Sequence, residues 1–294
     1  MKTLFRNPRV RLFAGAVLIS FSPVLVRLVS VSPTTSGFYR LILGGIALAL
    51  FLLLTGRKLS FSKSAWIALT GSAIFFAADL WFWHRSIIYV GPGLATLLAN
   101  FQVFFMTAAG VLLLRQRPSA MQLLAIPLAM VGLAMIIGLD WQGLQQDYRI
   151  GVIFGLLTAL CYAGYLLTMR QARTHSRYAV PSREIAVFSL IAASILGGVA
   201  IAEGESLAIP SMNDAVWLAC YGILIHAVGL MFIASSLAKV TTTQVGIALL
   251  LQPSLSFTWD ILFFDRPLTV LEGIGAAIVL AAIYLGSRQA SHQS

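Results

Sequence analysis

The chain has 294 residues, of which 59% are hydrophobic and only 10% charged. A soluble domain carries roughly 25% charge, so this composition excludes an ordinary cytosolic enzyme, a disordered chain and a disulfide scaffold. Alternating barrel strands would average far less apolar, which leaves an all-α integral membrane protein. Lys and Arg number 20 against 10 Asp and Glu, a net charge of +10. In a membrane protein that excess marks orientation rather than a nucleic-acid partner, because Lys and Arg collect in cytoplasmic loops. Cys161 and Cys220 lie inside apolar runs and read as small buried hydrophobes.

A crossing needs about 20 apolar residues. With breaks at Pro, Gly and charge clusters, the sequence predicts ten spans. The first, 11–31, follows Lys2, Arg6, Arg9 and Arg11 and has no cleavage site at the right spacing, so it reads as an uncleaved span. The others are 34–55, 64–88, 92–114, 119–138, 150–170, 184–202, 213–237, 243–264 and 268–287. Several follow a proline (Pro33, Pro92, Pro118, Pro181, Pro267), which suits the first turn of a helix. Ten spans put both termini on one side. The loops on that side hold fifteen of the 20 basic residues, including Arg57, Lys58, Arg115, Arg117, Arg177, Lys239 and Arg288, against one acid, Glu184. The opposite loops hold Asp140, Asp147, Glu203, Glu205, Asp214 and Asp265, with Arg149 and Arg266. Both termini are therefore expected to be cytoplasmic.

A polar connector, Asp140 to Asp147, leaves five spans on each side. At an offset of 150, Ala77, Ser86, Val90 and Gln102 meet Ala227, Ser236, Val240 and Gln252; nearby, Arg117-Pro118 meets Arg266-Pro267 at an offset of 149. Residues 1–140 and 147–288 are thus expected to be two five-helix repeats. An odd span number inverts the second against the first. Inverted repeats around a midplane site are a common plan of secondary transporters.

On these features the chain resembles EamA-type transporters of the drug/metabolite transporter superfamily. The resemblance rests on the five-plus-five spans, on Gly37-Phe38-Tyr39-Arg40 in the second span, and on Arg117-Pro118-Ser119 and Arg266-Pro267-Leu268 opening the last span of each half. Phe76 to Arg85 is similar to the third span of amino-acid-exporting members, where aromatics line the cavity. The resemblance implies an exporter of amino acids or similar metabolites in a bacterial inner (plasma) membrane.

Polar groups inside hydrocarbon are costly and face the bundle interior. Helical spacing groups Ser20, Pro23 and Arg27; Ser36, Arg40 and Gly44; Asp79, Trp83 and Ser86; Thr96, Asn100 and Thr107; Thr158, Cys161, Tyr165 and Thr168; Gly222, His226 and Gly229; and Gln252, Ser256 and Trp259 with Asp260 beside them. The candidate pathway residues are Arg27, Arg40, Asp79, Trp83, Asn100, Gln102, His226, Gln252, Trp259 and Asp260. Small and polar residues also hold helices together. The charges at Arg27, Arg40, Asp79 and Asp260 suit either a structural ion pair or a substrate clamp. Gln102 falls on the opposite helical face from Asn100, so both reach one cavity only if the helix bends. Pro23, Pro127 and Pro253 interrupt their spans and are expected to permit bends.

The sequence favours a secondary transporter that exports a small amphipathic solute by alternating access. There is no Walker A motif, so a proton or substrate gradient is the expected energy source. The partners are then a small-molecule solute and the lipid bilayer. A coupling proton and a homodimer stay open, and nucleic acid, cofactor and metal are not expected. The alternative is a membrane-embedded enzyme acting on a lipid or small molecule, but the chain lacks an H-E-x-x-H run and a visible nucleophile–base pair. A merely structural or receptor-like bundle is disfavoured by the inverted repeat.

Overall fold

The structure, a computed structural model, describes residues 7–56, 60–115, 118–138, 142–174, 181–236, 239–240 and 242–287. The basic residues Lys2, Arg6, Arg57, Lys58, Arg117, Arg177 and Arg288 lie outside the described residues, as does Asp140 in the connector. Every element among the described residues is a helix. They are α1 (Pro8–Leu28), α2 (Pro33–Leu54), α3 (Lys63–Ala99), α4 (Gln102–Leu114), α5 (Ala120–Ile137), α6 (Gln146–Ala172), α7 (Ser182–Ala202), α8 (Met212–Ser236), α9 (Thr242–Phe264) and α10 (Val270–Ser287). Among the described residues, eight stretches are long and apolar enough to cross a membrane. One of these, Lys63–Leu113, covers α3 and α4 together, and Val270–Gly286 is a shorter apolar helix.

Local chemistry sets the helix ends. Ser32 and Ser62 cap α2 and α3 by accepting from the Thr35 and Ala65 amides, both at 3.2 Å. Ser119 and Gln122 form a reciprocal capping box at α5. Thr269 and Glu272 make the same pair of bonds at α10, at 2.8 and 3.2 Å. Arg115 after α4 and Asp265 after α9 are left-handed, with φ of 52° and 49°, the only non-glycine residues so placed among the described ones.

The expected third and fourth spans join in an unexpected way. Helical structure continues to Ala99, interrupted at Gly91, whose φ of 84° and ψ of 161° only glycine adopts readily. The chain folds back there. A Cβ on Gly155 of α6 would lie 2.6 Å from Leu98 Cδ1 and 3.1 Å from Ser86 Oγ, whereas a straight helix would hold residues 86 and 98 roughly 18 Å apart. The returning limb breaks again at Asn100 and Phe101 before α4 begins, so 92–114 is not one helix. In α1 the discontinuity is at Phe21, and Pro23 sits in the first turn of the segment that follows. Pro127 and Pro253 lie within helices that continue through them.

α3 packs antiparallel on α6: Ser86 Oγ donates to Gly151 O at 2.7 Å near one end, and Ser72 Oγ to Thr168 Oγ1 at 3.0 Å near the other. α5 and α10 cross where a Cβ on Gly132 would lie 2.7 Å from Gly275 O, and one on Gly275 equally close to Gly132 O. Further pairs are α1 with α8 and α9, α2 with α7 and α8, and α3 with α7 and α9. The interior holds Leu41, Leu69, Ile87, Phe188 and Tyr221, while Leu53, Leu54 and Leu112 face outward, Leu54 at 88% exposure. Water would not tolerate that surface, but hydrocarbon solvates it.

Candidate functional site

A cavity of about 200 Å³ lies among α1, α2, α3, α4, α6, α8 and α9. Six of the ten candidate residues line it: Arg40, Asp79, Trp83, Asn100, Gln102 and Gln252. Asn100 and Gln102 both reach it because the helix breaks between them, which is the bend their spacing required. Phe76, Tyr162 and Tyr165 add an aromatic wall, with Phe76 and Tyr165 centroids 4.7 Å apart. Ser22 Oγ, Thr96 Oγ1 and Gln102 Oε1 are buried without a partner among the described residues, and all three residues line the cavity. Unpaired polar atoms are costly in the interior of a bundle, so these three favour a polar occupant.

Arg40 and Asp79 bring opposite charges to the cavity. Arg40 is 7% exposed and Asp79 5%. The Asp79 side chain has no hydrogen-bond partner among the described residues; its backbone carbonyl accepts from Thr158 Oγ1 at 3.5 Å. The charge of Arg40 acts on Asp79, yet the two are not joined in an ion pair. Arg40 instead donates from Nη1 to Tyr221 Oη at 3.0 Å and from Nε to His226 Nδ1 at 3.4 Å. Its guanidinium also lies over the rings of Tyr221 at 5.0 Å, Trp83 at 5.6 Å and Phe76 at 5.9 Å. Tyr221 Oη continues to His84 Nε2 at 3.1 Å, and His226 Nε2 meets Ser189 Oγ at 2.9 Å.

The other four candidates lie outside the cavity lining. His226 is fully buried behind Arg40. Asp260 accepts from the Gly93 amide at 3.0 Å and meets Arg266 at 3.9 Å, so it caps the limb returning from the Gly91 reversal. Arg27 is exposed and covers the Phe264 ring at 4.7 Å. Trp259 stacks on Phe21 at 4.6 Å and donates to Ser20 Oγ at 3.0 Å.

Tyr221 and His84 were not legible as site residues. Residues 221 and 226 fall on different faces of an α-helix, but Cys220–Gly229 is π-helical. Its i→i+5 bonding brings residues five apart near one another, so both side chains meet Arg40. The pair Tyr162 and Tyr165, three apart on α6, did carry a helical signal.

Apolar helices around a polar, charged cavity define a multi-pass membrane protein with a buried polar site. The pattern of the EamA-like transporter family matches residues 10–138 and 149–288, and the chain belongs to that family. It is 24% identical over 277 residues to an uncharacterized transporter of Archaeoglobus fulgidus, covering 94% of each chain. It is 26% identical over 282 residues to the uncharacterized inner membrane transporter YhbE of Escherichia coli (strain K12), covering 91% of this chain and 85% of that one. A crystal structure at 18% identity shares the fold, with a TM-score of 0.64 over 95% of this chain and 97% of its own.

Proposed function

We propose that the protein is a secondary active exporter of amino acids or similar small amphipathic metabolites, working by alternating access in a bacterial inner membrane. The observation that carries this reading is that Arg40 and Asp79 face one cavity without pairing. A zwitterion would place its carboxylate on the guanidinium and its ammonium on the carboxylate, and so compensate two charges that hydrocarbon penalises. Asp79 is also the residue through which a proton would couple to transport.

The ten helical segments are taken to cross the membrane as two inverted five-helix repeats, 1–140 and 147–288. Local structure supports this. Arg115 and Asp265, Ser119 and Thr269, and Gln122 and Glu272 each share a conformation or a capping role at an offset of 150. Packing supports it too: under exchange of the halves, α1–α8 maps onto α6–α3 and α2–α8 onto α7–α3, while α2–α7 and α5–α10 map onto themselves. The family pattern also matches in two stretches, one per half. No observation favours a membrane-embedded enzyme. Ser189 Oγ and His226 Nε2 lie 2.9 Å apart, but both residues are fully buried and neither lines the cavity, so a substrate there does not reach the pair.

The test is counterflow in proteoliposomes with radiolabelled amino acids, nucleobases and polyamines. The wild type is expected to exchange amino acids, and Asp79→Asn to lower that exchange about tenfold or more, as loss of a charged hydrogen bond would. Wild-type rates with unchanged pH dependence in Asp79→Asn would overturn the assignment of Asp79.

A further inference from the structure

With both imidazoles neutral, the hydrogen bonds behind Arg40 have one consistent proton assignment. Leu80 O is a carbonyl and can only accept, so His84 Nδ1, 2.6 Å away, carries a proton. A neutral His84 then has a lone pair on Nε2, which accepts from Tyr221 Oη at 3.1 Å. With its own proton so placed, Tyr221 Oη accepts from Arg40 Nη1 at 3.0 Å. On the other side, His226 Nδ1 accepts from Arg40 Nε at 3.4 Å, so its proton sits on Nε2 and points to Ser189 Oγ at 2.9 Å. One buried imidazole, His226, and the Tyr221 phenol therefore present lone pairs to one guanidinium, and the His84 imidazole holds the phenol proton away from it.

This arrangement fixes three things. It holds Arg40 with neutral acceptors, so no protein carboxylate bonds the guanidinium. It occupies Nε and Nη1 and leaves Nη2 without a protein partner among the described residues. And it depends on the π-helical stretch Cys220–Gly229, because that stretch puts Tyr221 and His226 on one face. π-Helix is rare and is frequent at functional sites. Gly44 permits the approach: a Cβ there would lie 2.5 Å from His226 Cδ2 and 2.7 Å from Gly222 O.

We infer that Tyr221, backed by His84, is a positioning residue that aims Arg40 at a substrate carboxylate, so that the π-helical segment of α8 sets the selectivity of the site for acids over their neutral amides. This rests on the proposed zwitterionic substrate. It goes further by assigning the carboxylate end of the site and the residues that set its geometry.

The experiment compares wild type, Tyr221→Phe and Ser189→Ala as purified full-length protein. The first readout is counterflow of a radiolabelled L-amino acid mixture, competed by unlabelled amino acids, by their carboxamides and by the corresponding decarboxylated amines. The second is thermal stabilisation of the detergent-solubilised protein by the same three compound classes. The wild type is expected to prefer acids over amides. In Tyr221→Phe that preference should fall about fivefold to tenfold, the worth of one hydrogen bond, with the amide and amine constants unchanged. Ser189→Ala, which frees His226, should move the preference the same way but less. An equal weakening of acids, amides and amines, or an unaltered preference in both variants, would mean that Tyr221 only supports the fold and would overturn the inference. If the wild type exchanges no amino acid, the transport reading fails; the thermal readout still decides the subsite, because equal stabilisation by acids and amides rules out a carboxylate position at Arg40.

Discussion

Asp79 and Asp260 are both almost fully buried acids in apolar helices, and the sequence treats them alike. Their surroundings do not. Asp260 accepts the Gly93 amide and meets Arg266, whereas the Asp79 side chain meets only the cavity and the charge of Arg40. The same substitution should therefore act in opposite ways. Asp260→Asn is expected to lower stability by about 1 kcal/mol, because the amide oxygen still accepts from Gly93 but without its charge or the attraction of Arg266, and to leave substrate preference intact. Asp79→Asn should leave the melting temperature unchanged or raise it while transport falls, the pattern of a functional group kept at a stability cost. Thermal melts of the two purified variants beside their counterflow rates check both. The sequence flagged both acids because charge inside hydrocarbon is always notable. It could not rank them, because their partners Gly93 and Arg40 are 167 and 39 positions away along the chain.

Among the elements, the α3–α4 unit departs furthest from a sequence reading. The break expected between spans 64–88 and 92–114 is present, at Gly91, but the second limb, expected as one span, is broken again at Asn100 and Phe101. Gly91→Ala is expected to cost about 1–3 kcal/mol in backbone strain; a Cβ there would also lie 2.7 Å from Asp260 Oδ2. Denaturation monitored by tryptophan fluorescence would report the loss. A second inter-element device lies at the end of the bundle that holds this reversal. Glu203, just after α7, accepts from Arg85 Nη2 at 2.9 Å, from Trp81 Nε1 at 2.9 Å and from Thr34 Oγ1 at 2.7 Å. Glu205 accepts from Ser32 and lies 3.8 Å from Arg85. The cluster ties α2, α3 and the connection after α7 together, with Thr34 six residues, roughly 9 Å, along α2 from Arg40. Partial burial opposes ionisation of Glu203, but the bonds from Thr34 and Trp81 and the charge of Arg85 outweigh it and hold its carboxyl below its ordinary value. A lowered folded value stabilises fully above the unfolded carboxylate pKa, about 4.3, and the gain is lost as pH falls through the lower value. Melting temperature should thus drop on acidification below about pH 4, and Glu203→Gln should remove that part of the drop. Equal pH profiles for the two proteins would rule the cluster out as its source.

At the scale of the whole molecule, basic residues and helix directions combine into a topology. α3 runs antiparallel to α6, and α5 to α10, as ten alternating crossings require. In the proposed arrangement the charge bias puts the termini in the cytoplasm. With Cys161 and Cys220 replaced by serine, Gln142→Cys is expected to react with a membrane-impermeant thiol reagent from outside intact cells. Ser64→Cys should react only after permeabilisation, and the reverse result would invert the molecule. The α5–α10 contact should be intolerant of bulk: Gly132→Val or Gly275→Val meets backbone rather than a flexible side chain. Each is expected to lower thermal stability, and the double variant by less than the sum, because either one already separates the helices.

Composition and span spacing depend on local chain properties and on the surrounding solvent, so the sequence alone determined an all-helical membrane protein, and the offset of 150 is the ground for the two halves proposed above. The same local logic picked out Arg40, Asp79, Trp83, Asn100, Gln102 and Gln252, since a polar side chain in an apolar helix must find an interior. Which interior was a question of tertiary packing. The fold-back at Gly91, the break at Asn100 and the π-helical turns of α8 each rotate side chains away from the faces an ideal helix would give them. They decided that Asp260 caps a helix limb, and that Tyr221 and His226 gather with His84 behind Arg40.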